Sequence, residues 1–294
     1  MNKKEFEKLA EEGFNHVPLV LECFADLDTP LSIYLKYANK PFSYLLESVQ
    51  GGEQFGRYSF VGLPSRIRYE VRGHTCVEIC DDAVVAQVER EDPIGWVSEL
   101  QQRTKAYYRD DLPRFLGGLV GYFGYETVHM IESRVGRGKS KSDPIDCPDI
   151  LLLHSEEVIV YDNLAGKLYF VVFANPQDTE AYELGQTRLT ELFAALRKPI
   201  DEPEEGAHEL AVPHEETPQD VFTESVARAK AYIHEGDIMQ VVLSQRMSVP
   251  FHAPPLSLYR SLRALNPSPY MFYFNLEDFH IVGASPEILV RLEK

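Results

Sequence analysis

Hydrophobic positions follow two periods along this chain, and the switches between them mark out its elements. Residues 3–14 repeat with helical spacing, with Phe6, Leu9, Ala10 and Phe14 on one side. Val17–Phe24 is a strand-like apolar run. Thr29-Pro30 supplies a capping residue followed by Pro at the first helical position, which predicts a helix to about Ala38. Strands are expected at Phe42–Val49 and Arg57–Leu63, separated by the break at Gly51-Gly52. From Ile67 the alternation is plain. Ile67, Tyr69 and Val71 lead into a turn near Arg72-Gly73, Cys76–Cys80 follows, and Asp81-Asp82 turns the chain into Ala83–Val88, an antiparallel meander.

Asp92-Pro93 then opens a helix of about a dozen residues. Asp149–Tyr161 reads as one strand, and Lys167–Ala174 pairs with it across the turn Asn163-Leu164-Ala165-Gly166. Asp178–Arg197 is a long helix. Residues 198–217 lose all periodicity and are acidic and Pro-containing, so they read as a linker between a domain over residues 1–197 and a second segment over 218–294. That segment opens with a helix carrying Phe222, Val226, Ala229 and Ile233 on one face. A strand after Gly236, a short helix at Leu256–Leu265, and a hairpin of Tyr270–Asn275 with His280–Ala284 follow. There is no regular βα alternation and no repeat, so the class is α+β and largely antiparallel.

Composition narrows the function. A length of 294 residues suits about two domains. The net charge of −17, without clustered Lys and Arg, argues against nucleic-acid binding. An anionic substrate would need a locally positive site or a divalent cation. No apolar run approaches the ~20 residues of a membrane span. The acid-rich start MNKKEFEKLAEEGF has no apolar h-region behind it, so a cytoplasmic protein is expected. Cys23, Cys76, Cys80 and Cys147 form no CxxC pair. His74, Cys76 and Cys80 lie in the alternating run, so free thiols rather than a metal site are expected.

Several motifs carry candidate chemistry, each beside a structural reading. Gly117–Glu126 (GGLVGYFGYE) lacks phosphate-loop spacing and reads as a strand that lets backbones or rings approach closely, or as a loop lining a ligand site. LLES (Leu45–Ser48) ends a strand with Glu47 and Ser48, able to hold an amino group and a carboxylate, or simply emerging into solvent. In NPSPYMFYF, Pro267 and Pro269 stiffen the approach to Tyr270, Met271 and Phe272, a surface suited to an aromatic ring or to a core. GDIMQVVLSQR places Ile238, Gln240, Val242 and Ser244 on one strand face, where Gln240 needs either backbone partners or a polar pocket. GASPE holds Glu287 rigidly after Pro286, as an acid–base group or as a surface carboxylate.

Singly these motifs are modest, but their order and spacing resemble anthranilate synthase component I over about residues 15–294. The residues that carry the resemblance are LLES, GRYSFVG from Gly56, GGLVGYFGYE, GDIMQVV, NPSPYMFYF and GASPE. It implies an α+β antiparallel β-sandwich with outer helices, the fold of chorismate-utilising enzymes. It further implies conversion of chorismate and ammonia to anthranilate and pyruvate, with Mg²⁺ on the substrate carboxylate and ammonia from a glutamine amidotransferase component II in a hetero-oligomer. Gln240 and Glu287 match positions of the chorismate site, Glu287 as acid–base group and Gln240 as a positioning group. Leu46, Glu47 and Ser48, with Pro269, Tyr270 and Met271, match a pocket for tryptophan as feedback inhibitor.

Aminodeoxychorismate synthase component I shares the fold, but LLES, NPSPYMFYF and GASPE resemble the anthranilate enzyme more closely. The family continues past the last residue, Lys294, through a glycine loop, a catalytic His and the Mg²⁺-binding glutamates. The resemblance therefore implies a chorismate domain incomplete at its C-terminal side, with its metal ligands beyond Lys294 and no turnover by these residues alone. A strand at Ile288–Leu292 would lack partners and leave an association-prone edge. The non-catalytic alternatives are a tryptophan-binding or partner-binding module and a fragment without activity of its own.

Overall fold

The computed structural model describes residues 1–49, 56–132, 134–135, 145–200 and 211–292. The expected break at Gly51-Gly52 and the central part of the expected linker, 201–210, lie outside the described residues. The chain forms two compact units, Met1–Glu202 with Leu258–Lys294, and Pro203–Ser257. This division differs from the sequence boundaries at 197 and 217 because the hairpin that closes the chain hydrogen-bonds to a strand near its start.

In the first unit, helix α1 (Lys3–Glu11) is fixed by a capping box between Asn2 and Glu5 and buries Phe6 and Leu9. Strand β1 (Val17–Phe24) follows, then α2 (Pro30–Tyr37), which Thr29 caps and Pro30 opens as expected. Strands β2 (Ser43–Glu47), β3 (Tyr58–Gly62), β4 (Ile67–Arg72), β5 (Thr75–Cys80) and β6 (Ala83–Glu89) come next. Helix α3 (Pro93–Arg103) precedes β7 (Gly118–Phe123) and the short α4 (Val128–Ile131). Strands β8 (Ile150–Ser155), β9 (Glu157–Asp162) and β10 (Lys167–Ala174) lead to α5 (Ala181–Ala195). The second unit holds a two-residue pair, β11 (His214–Glu215) with β12 (Met247–Ser248), and α6 (Gln219–Glu235). Helix α7 (Pro255–Leu265), whose residues from Leu258 onward belong to the first unit, precedes the hairpin β13 (Tyr270–Asn275) and β14 (His280–Ser285).

Two antiparallel sheets make the first unit. One runs β1-β10-β9-β3-β2-β13-β14, the other β6-β5-β4-β8-β7. Tyr44 and Phe274 from the larger sheet pack with Val120, Leu151 and Leu153 from the smaller. The Tyr44 hydroxyl also meets the Ser155 hydroxyl at 2.8 Å across this layer. Each fully buried side chain of this size contributes about 1.5–3 kcal/mol. Helix α3 covers the smaller sheet's other face, with Trp96, Val97 and Leu100 against Tyr69, Val71, Cys76 and Ile150. Helix α5 packs on β1 and β10, and α2 on β2 and β3. The antiparallel sandwich with outer helices is the expected fold class.

Three expectations need correction. Asp149–Tyr161 is two strands, not one, since β8 pairs with β4 and β7 while β9 pairs with β3 and β10. A continuous apolar run does not reveal where a chain crosses between packed sheets. The stretch after Gly236 is not a strand through Gln240, Val242 and Ser244; only Met247–Ser248 pairs there. Ile288–Leu292 is likewise irregular. An extended segment becomes a strand only where a neighbouring backbone accepts its ladder bonds, and among the described residues neither stretch has one. Met239 and Leu289 are accordingly 97% exposed.

Cys23, Cys76, Cys80 and Cys147 are not joined in disulfides. In α6 the predicted apolar face is mostly exposed, with Ala229 its one buried residue.

Candidate functional site

The two segments expected to cooperate from opposite ends of the chain lie side by side. β2 and β13 pair antiparallel, with Glu47 opposite Met271 and Leu46 opposite Phe272. Just beyond the strand, the Val49 amide donates to the Ser268 carbonyl at 3.1 Å, so Ser48 and Pro269 flank the same junction. Strand alternation divides the six expected residues between two faces. Glu47 and Met271 share one face with Leu45 and Tyr273, whereas Leu46 and Tyr270 lie on the other.

Glu47 is the centre of this region. Its side chain is only 2% exposed, and burial of a carboxylate requires compensation. Helix α7 provides it. The Tyr259 hydroxyl donates to Oε2 at 2.5 Å, while Arg263 donates Nε to Oε2 at 3.1 Å and Nη2 to Oε1 at 3.2 Å. Burial, and then the negative charge of Glu47, hold the Tyr259 phenol protonated well above its ordinary range. Tyr259 and Arg263 stand one helical turn apart, so a single face of α7 presents both donors. Sequence reasoning missed these two residues; their spacing of four was the available signal.

Gln240 is exposed in irregular backbone of the second unit, where the nearby Gln245 side chain donates to the Thr217 carbonyl. Glu287 is exposed in the first unit, just after β14, and its carbonyl accepts a bond from the Ser285 hydroxyl at 2.8 Å.

A second constellation lies where the two sheets meet. His16, His154 and Glu156 bring one potential ligand atom each to within 4.8 Å of one another. His16 directly precedes β1, His154 lies on β8, and Glu156 is the single residue between β8 and β9. Both imidazoles line a cavity of about 300 Å³, together with Tyr107, Gly117 and Phe173. The GGLV segment thus contributes to a cavity wall as well as to packing.

Burial, aided by the neighbouring His154, pushes the His16 imidazole down to about 4; burial lowers His154 too. In the unfolded chain a histidine titrates near 6.5. The unfolded state therefore takes up protons first as pH falls, so this contribution to stability is intact above about pH 6.5 and is lost progressively towards pH 4. Urea denaturation in chelator-containing buffer should show a smaller drop between pH 7 and pH 4.5 for His16→Gln than for the unaltered chain. An equal drop would mean that His16 is not buried neutral.

Comparison with known proteins agrees with the fold and with the family resemblance. Residues 44–294 match the family described as chorismate binding enzyme. The whole chain is 49% identical over 300 residues to anthranilate synthase component 1 of Pseudomonas putida and 50% identical over 299 residues to that of Pseudomonas aeruginosa. In each case the chain spans about 60% of the relative's length. The crystal structure of anthranilate synthase component I from Streptococcus pneumoniae TIGR4 shares the fold, with a TM-score of 0.62 and 24% identity over 90% of this chain and 57% of that one.

Proposed function

The chain belongs to the chorismate binding enzyme family, and we propose that it serves as part of an anthranilate synthase component 1. Identity near 50% along its entire length to two such enzymes carries this reading. The proposed reaction joins ammonia to the chorismate ring as the ring hydroxyl departs as water. Elimination of the enolpyruvyl group as pyruvate then leaves the aromatic anthranilate. Glu287 would supply the proton to the leaving hydroxyl, and Gln240 would hold the ring or the nucleophile in register. In this reading residues 218–294 begin the chorismate-binding domain, and a glutamine amidotransferase component supplies the ammonia.

Magnesium would neutralise the substrate carboxylate. The described residues do not fit that ion. Their one cluster of three possible ligands offers two imidazoles and a single carboxylate, whereas Mg²⁺ prefers oxygen donors. We therefore place its ligands in the part of the relatives' length that this chain does not span, and derive no step through it. Within the cell the cytoplasm is the expected location, and no described helix is long and apolar enough to cross a membrane.

Tryptophan is the proposed inhibitor, held by Leu46, Glu47, Ser48, Pro269, Tyr270 and Met271. The pairing of β2 with β13 supports this reading, because it brings the Leu46–Glu47 and Met271 segments together from opposite ends of the chain. A ligand there would bear on α7 through Glu47, a route by which binding could shift packing elsewhere.

The test assays the product of the complete reading frame, whatever its length, with chorismate, ammonium and Mg²⁺ by anthranilate fluorescence. Anthranilate and pyruvate in equal amounts are expected. Accumulation of an aminodeoxychorismate instead would replace this reading with that of the related synthase. In the same protein, Ser48→Phe should raise the tryptophan concentration for half-inhibition about tenfold or more without lowering uninhibited turnover. Normal inhibition of that variant would remove the strand junction as the effector site.

A further inference from the structure

We propose that His16, His154 and Glu156 form a binding site for a zinc-type divalent transition metal, on residues that neither the chorismate nor the tryptophan reading uses. The fold builds this trio deliberately close. Along β8 and the residue after it, His154 and Glu156 are two apart and project to the same side, while Ser155 between them turns the other way to meet the Tyr44 hydroxyl. His16 reaches the same point from the start of β1, in the other sheet. Gly117 lets the chain pass closely behind. A Cβ there would sit 2.5 Å from the Ser155 carbonyl oxygen and 2.8 Å from the Phe173 ring.

Two unpaired atoms point to a ligand. His16 is only 8% exposed, yet its Nε2 has no hydrogen-bond partner, and neither does the buried Nδ1 of His154. Buried polar atoms in folded proteins are nearly always paired, so each exception calls for a cause. A metal ion would accept a lone pair from each imidazole. The His16 ring is already held in place by stacking on Phe173, with centroids 4.0 Å apart and planes 10° from parallel. That fixes one donor before any ion arrives.

The donor chemistry selects the metal. Two imidazoles and one carboxylate form the nitrogen-rich set that suits zinc and disfavours magnesium or calcium. Around a tetrahedral zinc with bonds near 2.0–2.1 Å, donor atoms stand about 3.3 Å apart. The present spacing, within 4.8 Å, closes to that value by shifts of about an ångström, most easily in the Glu156 side chain. Three protein donors leave a fourth position, and the cavity beside the imidazoles has room for a water there. An ion so held would tie the start of β1 to the crossover between β8 and β9, clamping the two sheets where the chain passes between them.

The proposal is tested by stripping the 294-residue chain with chelator and titrating Zn²⁺ against a chromophoric competitor. One equivalent should bind, with affinity reduced about tenfold or more in both His154→Gln and Glu156→Gln. Zn²⁺ should raise the thermal midpoint of the unaltered chain but not of these variants, and millimolar Mg²⁺ should not displace it. Absence of stoichiometric binding, or binding unchanged in both variants, would overturn the assignment. Should the variants fail to fold, X-ray absorption of the zinc-loaded unaltered chain decides the matter. Two imidazoles with oxygen donors support the site, and a sulfur-containing or histidine-poor shell rejects it.

Discussion

Gly121→Val is expected to cost the first unit about 4 kcal/mol or more, enough to remove most of the protein from the soluble, cooperatively unfolding fraction. Gly121 stands in the middle of β7, opposite Leu152 of β8. A Cβ at this position would lie 1.9 Å from the Leu151 carbonyl oxygen and 3.0 Å from the Leu152 Cα. Both are backbone atoms of a paired strand, so no rotamer change relieves the collision. β7 would have to leave β8, taking Val120 out of the layer it forms with Tyr44, Leu151 and Leu153. Phe123→Ala, on the same strand but 51% exposed, should change stability by less than about 1 kcal/mol. Urea denaturation followed by circular dichroism compares the two. Similar losses would show that β7 is sensitive to strand propensity rather than to this contact.

Arg263→Ala should destabilise the chain by about 3–4 kcal/mol, beyond what a surface arginine contributes. Exposed ion pairs are worth about 0–1 kcal/mol, but removing one partner of a buried pair leaves an uncompensated charge and costs about 3–5 kcal/mol. Glu47 is the buried partner here, at 2% exposure against 40% for Arg263. Tyr259 would remain as a donor, which sets the estimate at the lower end. If charge burial is the cause, adding Glu47→Gln to Arg263→Ala should restore more than half of the loss. Equal stability of the single and double variants would assign the effect to lost packing of the arginine stem instead.

The local features of this fold were readable because they are written in neighbouring residues. Thr29 and Pro30 announce α2, and β1 and β10 fall on the limits expected from their apolar runs. The hairpin of β13 and β14 was equally plain. What neighbouring residues do not encode is which edge a strand joins. The sheet change between His154 and Val158 was therefore hidden in one apolar run. The same reason explains the error at Gln240, since a strand pattern without an edge to join remains irregular.

Of the candidate site, the resemblance named Glu47 and Met271, and the structure sets them opposite each other. It did not name Tyr259 or Arg263, because a carboxylate's need for partners becomes visible only when its burial is known. His154 and Glu156 are adjacent enough to notice, but His16 joins them only through the packing of two sheets.

The pairing of β2 with β13 also sets a schedule for biosynthesis. The two strands are separated by more than two hundred residues, which a ribosome adding about 5–20 residues per second needs roughly 10–45 s to deliver. During that interval the nascent chain can zip β2 to β3, yet the opposite rim of β2 stays open and Leu45 waits for Tyr273. Translation speed through this stretch therefore governs how long a sticky, half-made sheet is offered to chaperones or to other emerging copies.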